Sequence, residues 1–225
     1  MKYNLLVALL MSFATLSFGQ STITNGYISY GVDINSDQPM VAMFASGSSL
    51  EMAFSGNKSK VVAKVAGSNT VSLIADNGLS KALALMDVMG DKKAVKLDQS
   101  NFADAKKELQ KFKNNPQKLS DETKVIEGYT CKKILMKDKE SGASIIFYVT
   151  DKIQPQGELA KDFMAQFKGF PLGIVVRQGG TTVRLTANTV SDKVPSSNLF
   201  SQAIPDGYEM STIKELEEKA KNGGQ

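Results

Sequence analysis

Segment after segment of this chain alternates apolar and polar residues with a period of two. Gly26 to Asn35 sets Ile28, Tyr30, Val32 and Ile34 on one side and Ser29, Gly31, Asp33 and Asn35 on the other. That is the pattern of a strand with one buried and one wet face. The alternation returns in Ser49 to Ser55 (Leu50, Met52, Phe54), in Lys58 to Ala66 (Val61, Ala63, Val65), in Thr70 to Ala75 and in Lys93 to Asp98. Gly56-Asn57, Gly67-Ser-Asn69 and Asp76-Asn-Gly78 punctuate these runs as turns. A chain written this way folds as an antiparallel meander. Leu79 to Met89 also fits a helical stripe, but the turn signal Met89-Gly-Asp-Lys92 that follows favours a strand.

One run departs from the alternation. Ala143 to Thr150 puts Ile145, Phe147 and Val149 on one face and Ile146 and Tyr148 on the other, so both faces are expected to be covered. Its hairpin partner is Tyr129 to Met136, with a bulge expected at Gly128 and a charged connector, Lys118 to Lys124, leading in.

Besides Leu79 to Met89 and a short helix or turn expected at Met40 to Ala45, helical periodicity marks three places. Asn101 to Asn114 carries Phe102, Ala105, Leu109 and Phe112, with Asn101 as the expected cap. Glu158 to Lys168 carries the broader stripe Leu159, Ala160, Phe163, Met164 and Phe167, suited to lying on a sheet. A terminal helix opens at Thr212 with Glu215 in capping-box position. Ile145, Phe147 and Val149 are expected to face the second helix, and Ile146 and Tyr148 the tail around Phe200 to Tyr208. The expected fold is α+β: about ten antiparallel strands in one large sheet, curved into a half-barrel and wrapped on a few helices.

The 225 residues include no histidine. This removes the usual general base and the commonest transition-metal ligand, so Ser-His-Asp and Cys-His sites are impossible. The single cysteine, Cys131, has no internal partner and is expected to be an inert core residue. The formal charge of +4 comes without a dense basic run, so nucleic acid is not an expected partner. The rows Lys58, Lys60, Lys64 and Lys133, Lys137 read as the wet face of the sheet, with envelope contact through acidic headgroups as the functional alternative. Met40-Val-Ala-Met43 and Met86-Asp-Val-Met89 are M-x-x-M patterns that could hold Cu(I), but methionine more often fills a pocket or core. Ser55-Gly-Asn-Lys58 and Ser211-Thr-Ile-Lys214 match S-x-x-K without its companion motifs. No cofactor or metal is expected.

Met1 to Gly19 reads as a cleaved signal peptide: Lys2, an apolar middle from Leu5 to Leu16, and small residues before Gln20. The apolar run is too short to span a bilayer as a helix, and no cysteine follows it for lipid attachment. The expected mature chain, 20–225, is a single domain exported to the periplasm or secreted.

The succession Glu127-Gly-Tyr-Thr-Cys-Lys-Lys133, Phe147-Tyr-Val-Thr-Asp151, Phe167-Lys-Gly-Phe-Pro-Leu-Gly-Ile174 and Ala203-Ile-Pro-Asp-Gly-Tyr-Glu209 resembles uncharacterised proteins exported by Gram-negative bacteria. Among them are those named for a Gly-Leu-Pro-Gly-Leu-Ile motif. It also resembles the broader set with the lipoprotein-carrier (LolA-like) fold. The resemblance implies a curved antiparallel sheet closed by helices over an apolar cavity, and it implies no catalytic residue.

These readings converge on a monomeric, non-enzymatic binding protein for a lipid, a lipidated protein, an acyl chain or another hydrophobic ligand. Met40, Met43, Phe44, Phe147, Phe163, Phe167 and Phe170 are the residues expected to line its cavity. The alternative is a structural or interaction protein of the cell envelope, with a solid core and a protein partner on a sheet edge or on the charged connector.

Overall fold

The alternating segments pair into one sheet of twelve strands, in the order β12-β6-β5-β4-β3-β2-β1-β11-β10-β9-β8-β7. The computed structural model describes residues 22–38, 41, 47–113, 115, 117–139 and 141–222. The expected signal peptide and Met40, Met43 and Phe44 lie outside the described residues. Strands β2 (Ser49–Ser55), β3 (Lys58–Val65), β4 (Asn69–Asp76), β5 (Lys81–Val88) and β6 (Asp91–Leu97) form one antiparallel meander. Strands β7 (Gln117–Ile126), β8 (Tyr129–Lys137), β9 (Ser144–Thr150), β10 (Phe170–Gln178) and β11 (Thr181–Ser191) form a second. β1 (Asn25–Asn35) lies between them, antiparallel to both β2 and β11. The short β12 (Glu209–Met210) joins the far edge parallel to β6. Leu79 to Met89 is a strand over Lys81–Val88, as its turn signal favours.

Among the described residues, the α-helices α1 (Gln99–Lys113), α2 (Glu158–Phe167) and α3 (Ile213–Asn222) accompany the sheet. α1 starts earlier than its periodicity suggests. The Asp98 carboxylate accepts from the Ser100 backbone N–H at 2.9 Å, and the Asn101 side chain accepts from the Asp98 N–H at 3.0 Å. Asp98 is therefore the cap and Asn101 its reciprocal partner, a capping-box arrangement. α3 opens with the expected box: Glu215 N–H donates to the Thr212 hydroxyl and Thr212 N–H to the Glu215 carboxylate.

Ile145, Phe147 and Val149 face α2 as expected. Register sets Ile134 and Ile174 on either side of Phe147, and Phe163 and Phe167 close over them. The Phe147 and Phe167 rings are 4.5 Å apart and those of Phe163 and Phe167 4.4 Å.

Two expectations about the same region need correction. The charged connector is the edge strand β7, whose residues from Gln117 to Val125 are almost all exposed. A strand with no partner on one side and water on both faces tolerates, and is protected by, charge in place of alternation. Gly128 is not a bulge either: Ile126 pairs directly with Tyr129, leaving Glu127-Gly128 as a two-residue hairpin turn.

The tail covers a different surface from the one expected. Ile204 and Tyr208 pack on Ile74, Leu83, Leu85 and Ala94, on the outer face of the β4–β6 wing. Tyr148 is instead met by the tip of the β7–β8 hairpin, with the Lys124 ammonium 5.4 Å from its ring centre. Ile126 reaches as far as Gly173, where an added Cβ would fall 3.0 Å from its Cδ1. In a flat sheet β7 and β10 would stand ~14 Å apart, three strand spacings. The hairpin tip thus folds back over the sheet, and Gly173 leaves the room for it.

Burial of three mutually touching rings makes Phe167, at 1% exposure, the pin of α2. Phe167→Ala is expected to cost about 3–5 kcal/mol of stability, read as a fall in the urea midpoint with little change in slope.

Candidate functional site

Where the sequence placed a ligand, the described rings pack against one another. Phe147, Phe163 and Phe167 fill the space between β8–β10 and α2 with one another. Phe170 belongs to a separate central cluster with Ile28, Tyr30, Cys131, Ile153 and Leu172, its ring 6.2 Å from that of Phe54. Four of the seven expected lining residues therefore serve as core, and the other three lie outside the described residues.

The apolar pocket lies on the opposite wing. By register, Phe54, Ser59, Ala75, Ala82 and Leu97 stand on one face of successive strands β2 to β6. They form a floor, and Phe102 of α1 and Ala160 of α2 roof it, with Leu73 and Pro155 completing the wall. The pocket is partly open, with a volume of about 180 Å³. That is below the ~300 Å³ at which drug-sized sites begin and somewhat above the ~150 Å³ that accepts a benzene ring. The space exists because three of the facing residues, Ala75, Ala82 and Ala160, are small. Alternation marks those positions as buried but does not reveal that the side chains there fail to meet, which is why the sequence reading missed them.

The mouth of the pocket is polar. Asn77 Nδ2 donates to the Asn57 carbonyl at 2.8 Å, and Gly157, the residue before α2, sits directly against Asn77. Any side chain at 157 would strike Asn77 Nδ2 at 2.6 Å, so glycine lets the start of α2 close on the β4–β5 turn. Lys106 of α1 pairs with Glu158 of α2, and this neighbouring carboxylate raises the lysine pKa. Two larger depressions, of about 360 and 450 Å³, mix charged and amide side chains with apolar ones and have no comparable dry wall.

The other candidate residues separate rather than converge. Met86 lies on the strand face shared with Val71, and Met89 is 87% exposed in the following turn. Ser55 and Lys58 flank the β2–β3 turn, and the Ser211 hydroxyl donates to Glu215 at the start of α3. Lys133 is engaged with Glu122 at 2.7 Å. Among the described residues, no cluster of three or more His, Cys, Asp or Glu is placed to hold a metal, and no helix is long and apolar enough to cross a membrane.

Cys131 is fully buried beside Ile126 and Leu172. Burial pushes its thiol from 9.0 up to about 11, with Lys124 acting in the opposite direction. Burial also drives the Tyr30 phenol well above its ordinary range, and Cys131 adds to that shift; its hydroxyl donates to the Pro171 carbonyl at 2.8 Å. These groups are held neutral, the opposite of what a nucleophile needs.

No protein-family model and no curated protein sequence matches the chain. Among solved structures it is similar to PNGF-II in two crystal forms. The first gives a TM-score of 0.47 at 13% identity, covering 87% of this chain and 32% of that one. The second gives 0.46 at 11% identity, covering 86% and 32%. The chain spans about a third of the length of PNGF-II. It is also distantly similar to the Mycobacterium tuberculosis lipoprotein LppX, with a TM-score of 0.39 at 13% identity over 83% of this chain and 97% of that one.

The raised thiol pKa has a definite sign. Native Cys131 keeps its proton up to about pH 11 while an unfolded cysteine loses it near 9.0, so its contribution to stability is full below pH 9.0 and is lost as pH rises through about 11. Denaturation midpoints of the wild type are expected to fall across that window, and by less in Cys131→Ala. Native protein at pH 8 is expected to resist a thiol reagent that labels it once unfolded.

Proposed function

We propose that this chain is an exported, non-enzymatic binding protein whose inner-face pocket takes the hydrocarbon part of a lipid, acyl chain or other hydrophobic ligand. The observation that carries the reading is the pocket itself: a cavity of about 180 Å³ walled mainly by Phe54, Leu73, Leu97, Phe102 and Pro155, with Ser59 in its floor and Lys58, Asn77 and Asn101 as its other polar lining. A mostly apolar wall with a few polar groups suits an amphiphile, whose tail gains burial while its head stays solvated. The absence of histidine and of any catalytic motif supports binding over catalysis. The signal-like Met1 to Gly19 supports export to the periplasm or beyond, and the motifs resembling lipoprotein carriers point the same way.

A second reading, an interaction protein of the cell envelope, rests on β7. It ends the sheet with Leu119 and Val125 at 51% and 65% exposure, a surface on which a partner strand could add. Its irregular pairing with β8 between Leu119 and Thr123 and its charged side chains weigh against it, since both devices blunt an edge.

Ala160→Phe tests the first reading, because it fills the pocket from the roof without disturbing the rings beneath α2. Native mass spectrometry and solvent extraction of the wild type, purified from its own envelope, are expected to yield a bound hydrophobic molecule. The variant is expected to yield none while its thermal unfolding stays within a few degrees. Equal loading of both proteins, or empty wild type, refutes the pocket as the binding site.

A further inference from the structure

The inner face of the β2–β5 wing stays apolar well beyond the pocket. Register sets Val61 opposite Leu73, and one step further along the strands Ala63 opposite Val71 and Val71 opposite Met86. These positions share the parity, and therefore the face, of Ala75 in the pocket floor. Val65 continues the row beyond Ala63. No charged residue occupies this face of β3 or β4 from Ser59 to Val65 or from Val71 to Ala75. Yet the row is open to water: Val65, Val71 and Leu73 are 41%, 42% and 39% exposed. Joined by register to the pocket wall, this row extends the apolar surface that the pocket opens onto.

Leu73 belongs both to this row and to the pocket wall, so the two are continuous. From Leu73, the last pocket residue, to Val71 the row adds ~7 Å at the usual strand rise. The pocket alone, slightly larger than a benzene-sized cavity, holds only the end of a long hydrocarbon chain.

We infer that pocket and row form one trough for a single long, unbranched hydrocarbon chain. The chain end sits between Phe102 and Ala160, and the rest lies along Leu73, Val71 and Val65. This inference rests on the binding reading above and adds to it the class of ligand: a long-chain amphiphile rather than a compact apolar molecule.

Calorimetric titration of the full chain with octanoate and palmitate, both below their aggregation thresholds, tests it. The wild type is expected to bind palmitate more tightly, because the longer chain also buries the row. Exchanging the two exposed valines for an isosteric polar residue, Val65→Thr with Val71→Thr, preserves strand shape. It is expected to weaken palmitate about five- to tenfold while leaving octanoate unchanged. Palmitate binding no tighter than octanoate, or palmitate binding unaffected by the double substitution, overturns the trough and leaves the pocket standing. Failure of the wild type to bind either acid overturns both.

Discussion

The pairing of β1 with β11 is the contact on which the rest of the sheet depends. Nine residue pairs, from Tyr27 with Ser191 to Asn35 with Thr182, join the two meanders into a continuous surface. Most neighbouring strands in the sheet are also neighbours in sequence, and their hairpins form locally. The β1–β11 pair closes a loop of most of the chain and carries a large entropic cost before any contact rewards it. Packing at this seam offsets that cost. Ile28 and Ala187 are buried at 0% and 3% exposure, and the Tyr30 hydroxyl reaches past β11 to the Pro171 carbonyl of β10. Ala187, directly opposite Tyr30, leaves room for the ring to cross. The ladder skips Asn188 at this point, a bulge that increases local twist where the two meanders meet.

The two wings treat the same architectural problem in opposite ways. On the β8–β10 wing the residues facing α2 are phenylalanine, isoleucine and valine, and the rings of Phe147, Phe163 and Phe167 touch. On the β2–β6 wing the facing residues include Ala75, Ala82 and Ala160, and the same helix layer stands over a space. Close packing is the rule in protein interiors, and a dry void forfeits dispersion contacts on every wall. A cavity lined by three alanines beside a wing that is filled completely is therefore a difference of composition, set residue by residue, and not a failure of the helices to reach the sheet.

Period-two alternation made most of the fold legible, because burial on one face of a strand writes itself directly into the order of residues. Ile28 and Tyr30, Phe54 and Val95 are buried as their parity demands. The apolar double face of Ala143 to Thr150 correctly announced a strand covered on both sides, with Ile146 and Phe147 each at 6% exposure. Edges were not legible in the same way. β7 carries no burial signal since it buries almost nothing, and its charges look like those of a loop. The candidate site was the least legible part. Large aromatic residues drew attention to the α2 wing, where their size means that they fill space. The pocket depends instead on small residues from three elements, Ala75 and Ala82 set side by side by strand register and Ala160 brought over them by α2.

The cover of the pocket is held unevenly. The C-terminal half of α2 is pinned by Phe163 and Phe167, whose removal from the ring cluster costs several kcal/mol. Its N-terminal half meets α1 through the exposed Lys106–Glu158 pair, a class of contact worth about 0–1 kcal/mol, and meets the sheet through the approach of Gly157 to Asn77. The roof thus joins a half held by the ring cluster to a half that meets α1 through an exposed ion pair.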